Sequence, residues 1–111
     1  MCEFKVYDID DQSKIIAEDI VKATTRNGSL TMRKVLGEST TLDNGAIIEV
    51  DVSKERMIVS NFPLLGSMFK LVELISDHKK NPSASTYEKI LSQWTHIKSE
   101  GDLALKSLKK K

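Results

Sequence analysis

A chain of 111 residues with 40% hydrophobic residues, 30% charged residues and a net charge of +1 has the length and composition of one soluble domain, or of a small domain with an appendage. No apolar run reaches the ~18 residues of a membrane span. No basic stretch followed by an apolar one opens the chain, so no membrane partner is expected and the expected location is the cytoplasm. The single cysteine excludes an intramolecular disulfide and a one-chain zinc site of the Cys₄ or Cys₂His₂ kind.

Charge divides unevenly along the chain. Residues 1–62 hold eight basic and eleven acidic residues, and residues 63–111 hold nine lysines and five acids. The first part therefore lacks the basic excess that a phosphate-tracking surface needs, and the second has only a mild one.

Taken in order, residues 1–62 read as strands. Phe4 to Ile9 alternates, with Cys2, Phe4 and Val6 on one side. Asp10-Asp11-Gln12-Ser13 is a polar turn cluster. Ile15 to Thr25 is rich in β-branched residues, and Glu18-Asp19 interrupts it as a bulge or bend. Asn27-Gly28, flanked by Thr24-Thr25 and Leu30-Thr31, predicts a two-residue hairpin turn with positive φ at both central positions. Leu30 to Leu36 is the next strand; Gly37 marks a kink, after which Glu38 to Leu42 continues extended. Asp43-Asn44-Gly45 is a turn, Ala46 to Val52 alternates, Ser53-Lys54-Glu55 turns again, and Arg56 to Asn61 closes the series. Short strands with turns at this spacing predict a small β-barrel of about sixty residues.

The period then becomes helical. Pro63 suits a first helical turn, and Leu64, Met68, Leu71, Val72 and Ile75 share one face. Asn81-Pro82 stops that helix. Ser83 or Ser85 caps the next, and Ser85 with Glu88 fits a capping box. Its stripe is Tyr87, Ile90, Leu91, Trp94 and Ile97. Gly101-Asp102 predicts a break before a last short helix from Leu103. The expected organisation is a β-barrel over residues 1–62 and a helical extension over 63–111, packed on its own barrel, on itself or on a second copy of the chain.

An enzyme is not expected. No G-x-S-x-G, H-E-x-x-H, C-x-x-C or P-loop occurs, and no acid–base or nucleophile–base pair stands out. His78 reads as a surface histidine meeting a helix dipole, and His96 as solvated. Asp10-Asp11 and Glu18-Asp19 supply too few oxygens for Ca²⁺ and read as turn polarity.

Cys2 stands apart because of its neighbour. Methionine before a small second residue is usually removed in the cell, which would free the α-amine of Cys2. Amine (pKa ~7.7–8.0) and thiol (pKa ~8.5) on one residue form a five-membered chelate once a metal competes for their protons. Two chains about a two-fold axis would supply an N₂S₂ set, with backbone amide nitrogens as alternatives, and planar nitrogen and thiolate donors favour Ni(II) or Cu(II) over Zn(II). On the residue alone, the favoured reading of Cys2 is a small buried hydrophobe on the Phe4–Val6 face or a frayed terminus.

Met1-Cys2-Glu3-Phe4-Lys5-Val6-Tyr7, Ala17-Glu18-Asp19-Ile20-Val21, Met32-Arg33-Lys34-Val35-Leu36-Gly37, and Ile48-Glu49-Val50-Asp51-Val52 with Arg56-Met57-Ile58-Val59 together resemble the CooT family of small nickel-binding proteins, also catalogued as predicted RNA-binding proteins. The resemblance runs in unbroken order from residue 1 to about residue 60. It implies an SH3-like β-barrel that forms a homodimer. It also implies Ni(II) bound through the cysteine after the initiator methionine, here Cys2, and nickel supply to a client enzyme such as carbon monoxide dehydrogenase. Residues 63–111 depart from the short members.

Two alternatives come from other classes. An RNA-binding barrel needs a basic groove with aromatics, and residues 1–62 offer Phe4, Tyr7 and Phe62 on a net negative charge. A protein-interaction adaptor would present Tyr87, Ile90, Leu91 and Trp94 of the helical extension to a partner.

Overall fold

The computed structural model describes residues 3–109. Its elements are β1 (Phe4–Asp8), β2 (Asp11–Arg26), β3 (Ser29–Lys34), β4 (Ser39–Asp43), β5 (Gly45–Asp51), β6 (Arg56–Asn61), α1 (Pro63–Lys80) and α2 (Ala84–Leu108). The six strands form one sheet in the order β4-β3-β2-β1-β6-β5. Neighbours are antiparallel except β1 and β6, which run parallel with Lys5 beside Arg56 and Asp8 beside Val59.

The mixture of strands and two helices is as the sequence predicts, but the closed barrel is not formed. β4 and β5 are the two edges of the sheet, and no ladder joins them. Only Asn44 separates them in sequence, so the sheet must curl enough to bring its edges together at one end. Asn44 makes that crossing with φ +59°, and its N–H donates to the Gly28 carbonyl (3.0 Å) instead of to a neighbouring strand.

Alternation fills the concave side. Val6, Ala17, Ile20, Leu30, Met32, Met57 and Val59 form the buried core, with Phe4, Ile16, Ala23 and Leu42 packed around it. The Asn27-Gly28 turn forms as expected, with φ +51° and +79°. Asp19 takes φ +58° in the long β2, where pairing slips on both sides, so the Glu18-Asp19 bulge is real. Gly37 (φ +98°) marks a full reversal between β3 and β4, closed by Gly37 N–H to Lys34 O (3.0 Å) and Lys34 N–H to Glu38 O (2.8 Å), where the sequence suggests only a kink.

Pro63 opens α1, and His78, Lys79 and Lys80 sit at its negative C-terminal end. The cap of α2 is Ser83, whose Oγ accepts from Thr86 N–H (3.0 Å) while Ser83 N–H donates to Thr86 Oγ1 (3.1 Å); Ser85 and Glu88 are not the capping pair. Nor does α2 break at Gly101-Asp102. Gly101 is buried facing Leu64, where close approach of the two helices outweighs the ~1 kcal/mol helix penalty of glycine. Gln93 Nε2 donating to Ser67 O (3.0 Å) and His78 Nδ1 against Thr86 Oγ1 (2.6 Å) tie the helices together. Neither helix is long and apolar enough to cross a membrane.

Candidate functional site

Cys2 lies outside the described residues, so the site is built from Glu3, to which it is bonded. Parallel pairing sets Lys5 of β1 beside Arg56, at the start of β6, and so brings the chain's beginning to the Ser53–Glu55 turn. Glu55, held at φ +49°, grips that beginning twice. Its carbonyl accepts from Lys5 N–H (3.0 Å), and its carboxylate accepts from Glu3 N–H (3.1 Å). Nothing in the sequence pattern singles out Glu55 for this role, because its partner lies 52 residues away.

Beside Glu3 is an open cavity of about 250 Å³ lined by Asp19, Lys34, Val35, Leu36, Glu38 and Glu3 itself. The β2 bulge turns Asp19 to this end, and the β3–β4 reversal supplies the rest. Three carboxylates against one ammonium make the rim attractive to cations. Leu36 is 87% exposed and Val35 half exposed, an apolar tip in an otherwise charged setting. Among the described residues, no three or more His, Cys, Asp and Glu side chains converge on one point as a metal site.

The histidines are elsewhere. His78 sits in the last turn of α1, where the dipole reading expects it, but is half-buried between the helices and bonded to Thr86 instead of lying on the open surface. His96 is exposed, 4.0 Å from Glu100, beside a polar hollow at the junction of helices and sheet.

One cluster escapes sequence reasoning entirely. Lys22 pairs with Arg33, and Thr24 with Thr31, across β2 and β3, while Arg33 pairs with Ser39 of β4. With Arg26 these side chains line a second open cavity, about 280 Å³, on the outer face of the sheet. Every lining group is a hydrogen-bond donor, and none is a carboxylate. Net charge conceals this face, because the eleven acids of residues 1–62 lie outside it; only strand register brings the cations together. Like charges directly opposed across strands destabilise a sheet, which an anion would relieve.

The model of the family described as CO dehydrogenase accessory protein CooT matches residues 1–60. No curated protein matches the chain.

Proposed function

The chain belongs to the CooT family, and from that premise we propose that it is a cytoplasmic accessory protein that holds Ni(II) through Cys2 at a homodimer interface and supplies it to a nickel enzyme such as carbon monoxide dehydrogenase. The observation that carries the reading is the extent of the family match, which starts at residue 1 and so includes the Met-Cys opening.

The surroundings of Glu3 support it. Its N–H is committed to Glu55, so the amide of residue 3 is a poor candidate for a metal donor, and the amine and thiolate of Cys2 are the better pair. The acidic rim favours approach of a dication. The Val35-Leu36 tip gives a second copy something apolar to cover at the same end.

Equilibrium dialysis and native mass measurement of protein with native N-terminal processing test the assignment. One Ni(II) is expected per two chains, lost in Cys2→Ser and in protein that keeps Met1. Unchanged stoichiometry in Cys2→Ser refutes it.

The face formed by Lys22, Arg26 and Arg33 favours a second reading, contact with the phosphates of RNA. Arg33→Gln is then expected to weaken binding of single-stranded RNA at low salt, in a filter-binding titration at two salt concentrations. No binding by the wild type at low salt removes this reading.

A further inference from the structure

α1 and α2 form an antiparallel pair whose mutual contacts run through Leu64 and Gly101, Ser67 and Gln93, and His78 and Thr86. At about 100° per residue, each helix then has two flanks. One flank turns to the strands: Glu73 Oε1 accepts from Asn27 N–H (3.0 Å), Gly66 abuts Gly28, and His96 and Glu100 overlook Ser29 and Asp43. The groups that make these contacts are polar or glycine, with Leu74 beside Asn27 and Glu73. The opposite flank carries Met68 and Val72 of α1 and Tyr87, Leu91 and Trp94 of α2, all exposed, Val72 by 59% and Trp94 by 46%. The helical pair thus meets the Asn27-Gly28 hairpin through polar groups and glycine and leaves an apolar group open to water, the reverse of what burial dictates for a lone domain.

The dimensions of the whole chain carry the same sign. It exposes 7657 Å², whereas a compact monomer of 12.5 kDa exposes about 6,200 Å². Its radius of gyration is 16.3 Å, against about 13 Å for a compact chain of this length. The excess, roughly 1,500 Å², belongs to the whole chain, and Val35, Leu36, Ile48, Val50 and Val52 of the strand region contribute to it beside the helical face.

We propose that the occupant of this face is a second copy of the chain, the two helical pairs closing about a two-fold axis into a four-helix bundle. Two amphipathic pairs, each with one open apolar side, find their simplest closure in each other. Charge fits as well. Glu88 and Lys98 flank the apolar patch of α2 toward its two ends, and neither has an ion-pair partner among the described residues. An antiparallel crossing of two α2 helices sets each Glu88 toward the other copy's Lys98. This interface is distinct from the one proposed around Cys2, so chains that close both about two-fold axes form a dimer without nickel and a tetramer with it. Glu3 lies at the Arg56 end of β6, and α1 departs from the other end, roughly 20 Å away at the rise of a strand.

Sedimentation velocity on the full chain in nickel-free buffer tests the proposal. The wild type is expected at twice 12.5 kDa, and Val72→Glu with Leu91→Glu at half the wild-type mass with unchanged helical circular dichroism. Single Val72→Arg serves as a second probe, and fluorescence of the only tryptophan, Trp94, is expected to shift to the red on dilution of the wild type. Cys2→Ser is expected to keep the doubled mass and lose only nickel. A monomeric wild type, or a Val72/Leu91 variant that keeps the wild-type mass, overturns the helical interface. A Cys2→Ser protein that keeps its nickel overturns the N-terminal reading and leaves this one standing.

Discussion

The strands and the helices of this molecule solve the burial problem differently. In the sheet, Val6, Leu30, Met32 and Val59 have no exposed surface at all. Across both helices the buried residues are Gly66, Ser67, Ile97 and Gly101, of which only Ile97 is a large apolar side chain. The sheet closes over a buried core within one chain, although Ile48, Val50 and Val52 stay exposed, and it coincides with the stretch the family shares. The helical pair holds to itself through half-buried contacts and to the sheet through glycine and the Glu73 carboxylate. An appendage with an unfinished core is an appendage shaped for something outside its own chain.

The sharpest way to break that comparison is to cut the same side chain in both regions. Leu30→Ala removes a fully buried leucine from the core and is expected to cost about 2–5 kcal/mol of folding stability. That loss is independent of protein concentration. Leu91→Ala removes a half-exposed leucine and is expected to cost no more than ~1 kcal/mol within one chain. Because Leu91 also lies on the proposed dimer face, its effect on Tm should grow at protein concentrations where the wild type is paired, as mass action requires. Thermal unfolding at two protein concentrations checks both. Equal shifts for the two variants would erase the distinction between the regions.

Sequence pattern made the two regions legible to different depths. The strands declare themselves because inward and outward residues alternate, and Asn27-Gly28 declares its turn because few other residues accept φ +51° and +79° in succession. The open sheet is not legible. Closure depends on whether β4 meets β5, and that hangs on the backbone of Asn44, whose bond to Gly28 is a long-range choice. The helices follow from their apolar spacing, but Gly101 reads as a breaker because local propensity says nothing of Leu64 lying against it. At the candidate site, Cys2 is visible from its place after Met1, whereas Glu55 and the opposed Lys22 and Arg33 emerge only from pairing register.

The junction between the regions is the next place to press. A Cβ on Gly28 would stand 2.8 Å from the Gly66 carbonyl oxygen, and the residue sits at φ +79°. Strain and clash add, so Gly28→Ala is expected to destabilise by about 2 kcal/mol, some of it by pushing α1 off the hairpin. Hydrogen exchange separates the two effects. Loosened docking speeds exchange at Asn27 N–H and along α1, while Val6 and Leu30 in the core stay protected. Uniform acceleration would mean that sheet and helices fold as one unit, and the contrast between them would be only geometric.

The smallest effect lies in a turn that belongs wholly to the strand region. Ser53 Oγ donates to Asp51 Oδ1 (2.8 Å), and Lys54 N–H donates to the same oxygen (3.1 Å), fastening the first half of the β5–β6 turn by local bonds. The Ser53 hydroxyl, followed by the Lys54 amide, holds the Asp51 carboxyl below its ordinary value of 3.8. A carboxyl lowered in the folded state contributes stability above its unfolded pKa and loses it as pH falls through the folded one. Ser53→Ala should therefore raise the pKa of Asp51 toward 3.8, and the stability gap to the wild type should close in acid. Carboxyl titration by NMR reads the shift directly. Asp11, lowered by the equivalent bond from Ser13 in β2, is the internal control and should not move. Movement of both would show that the turn at one end of the curled sheet is coupled to the strand at the other, and that the sheet responds as a whole even where its bonds are local.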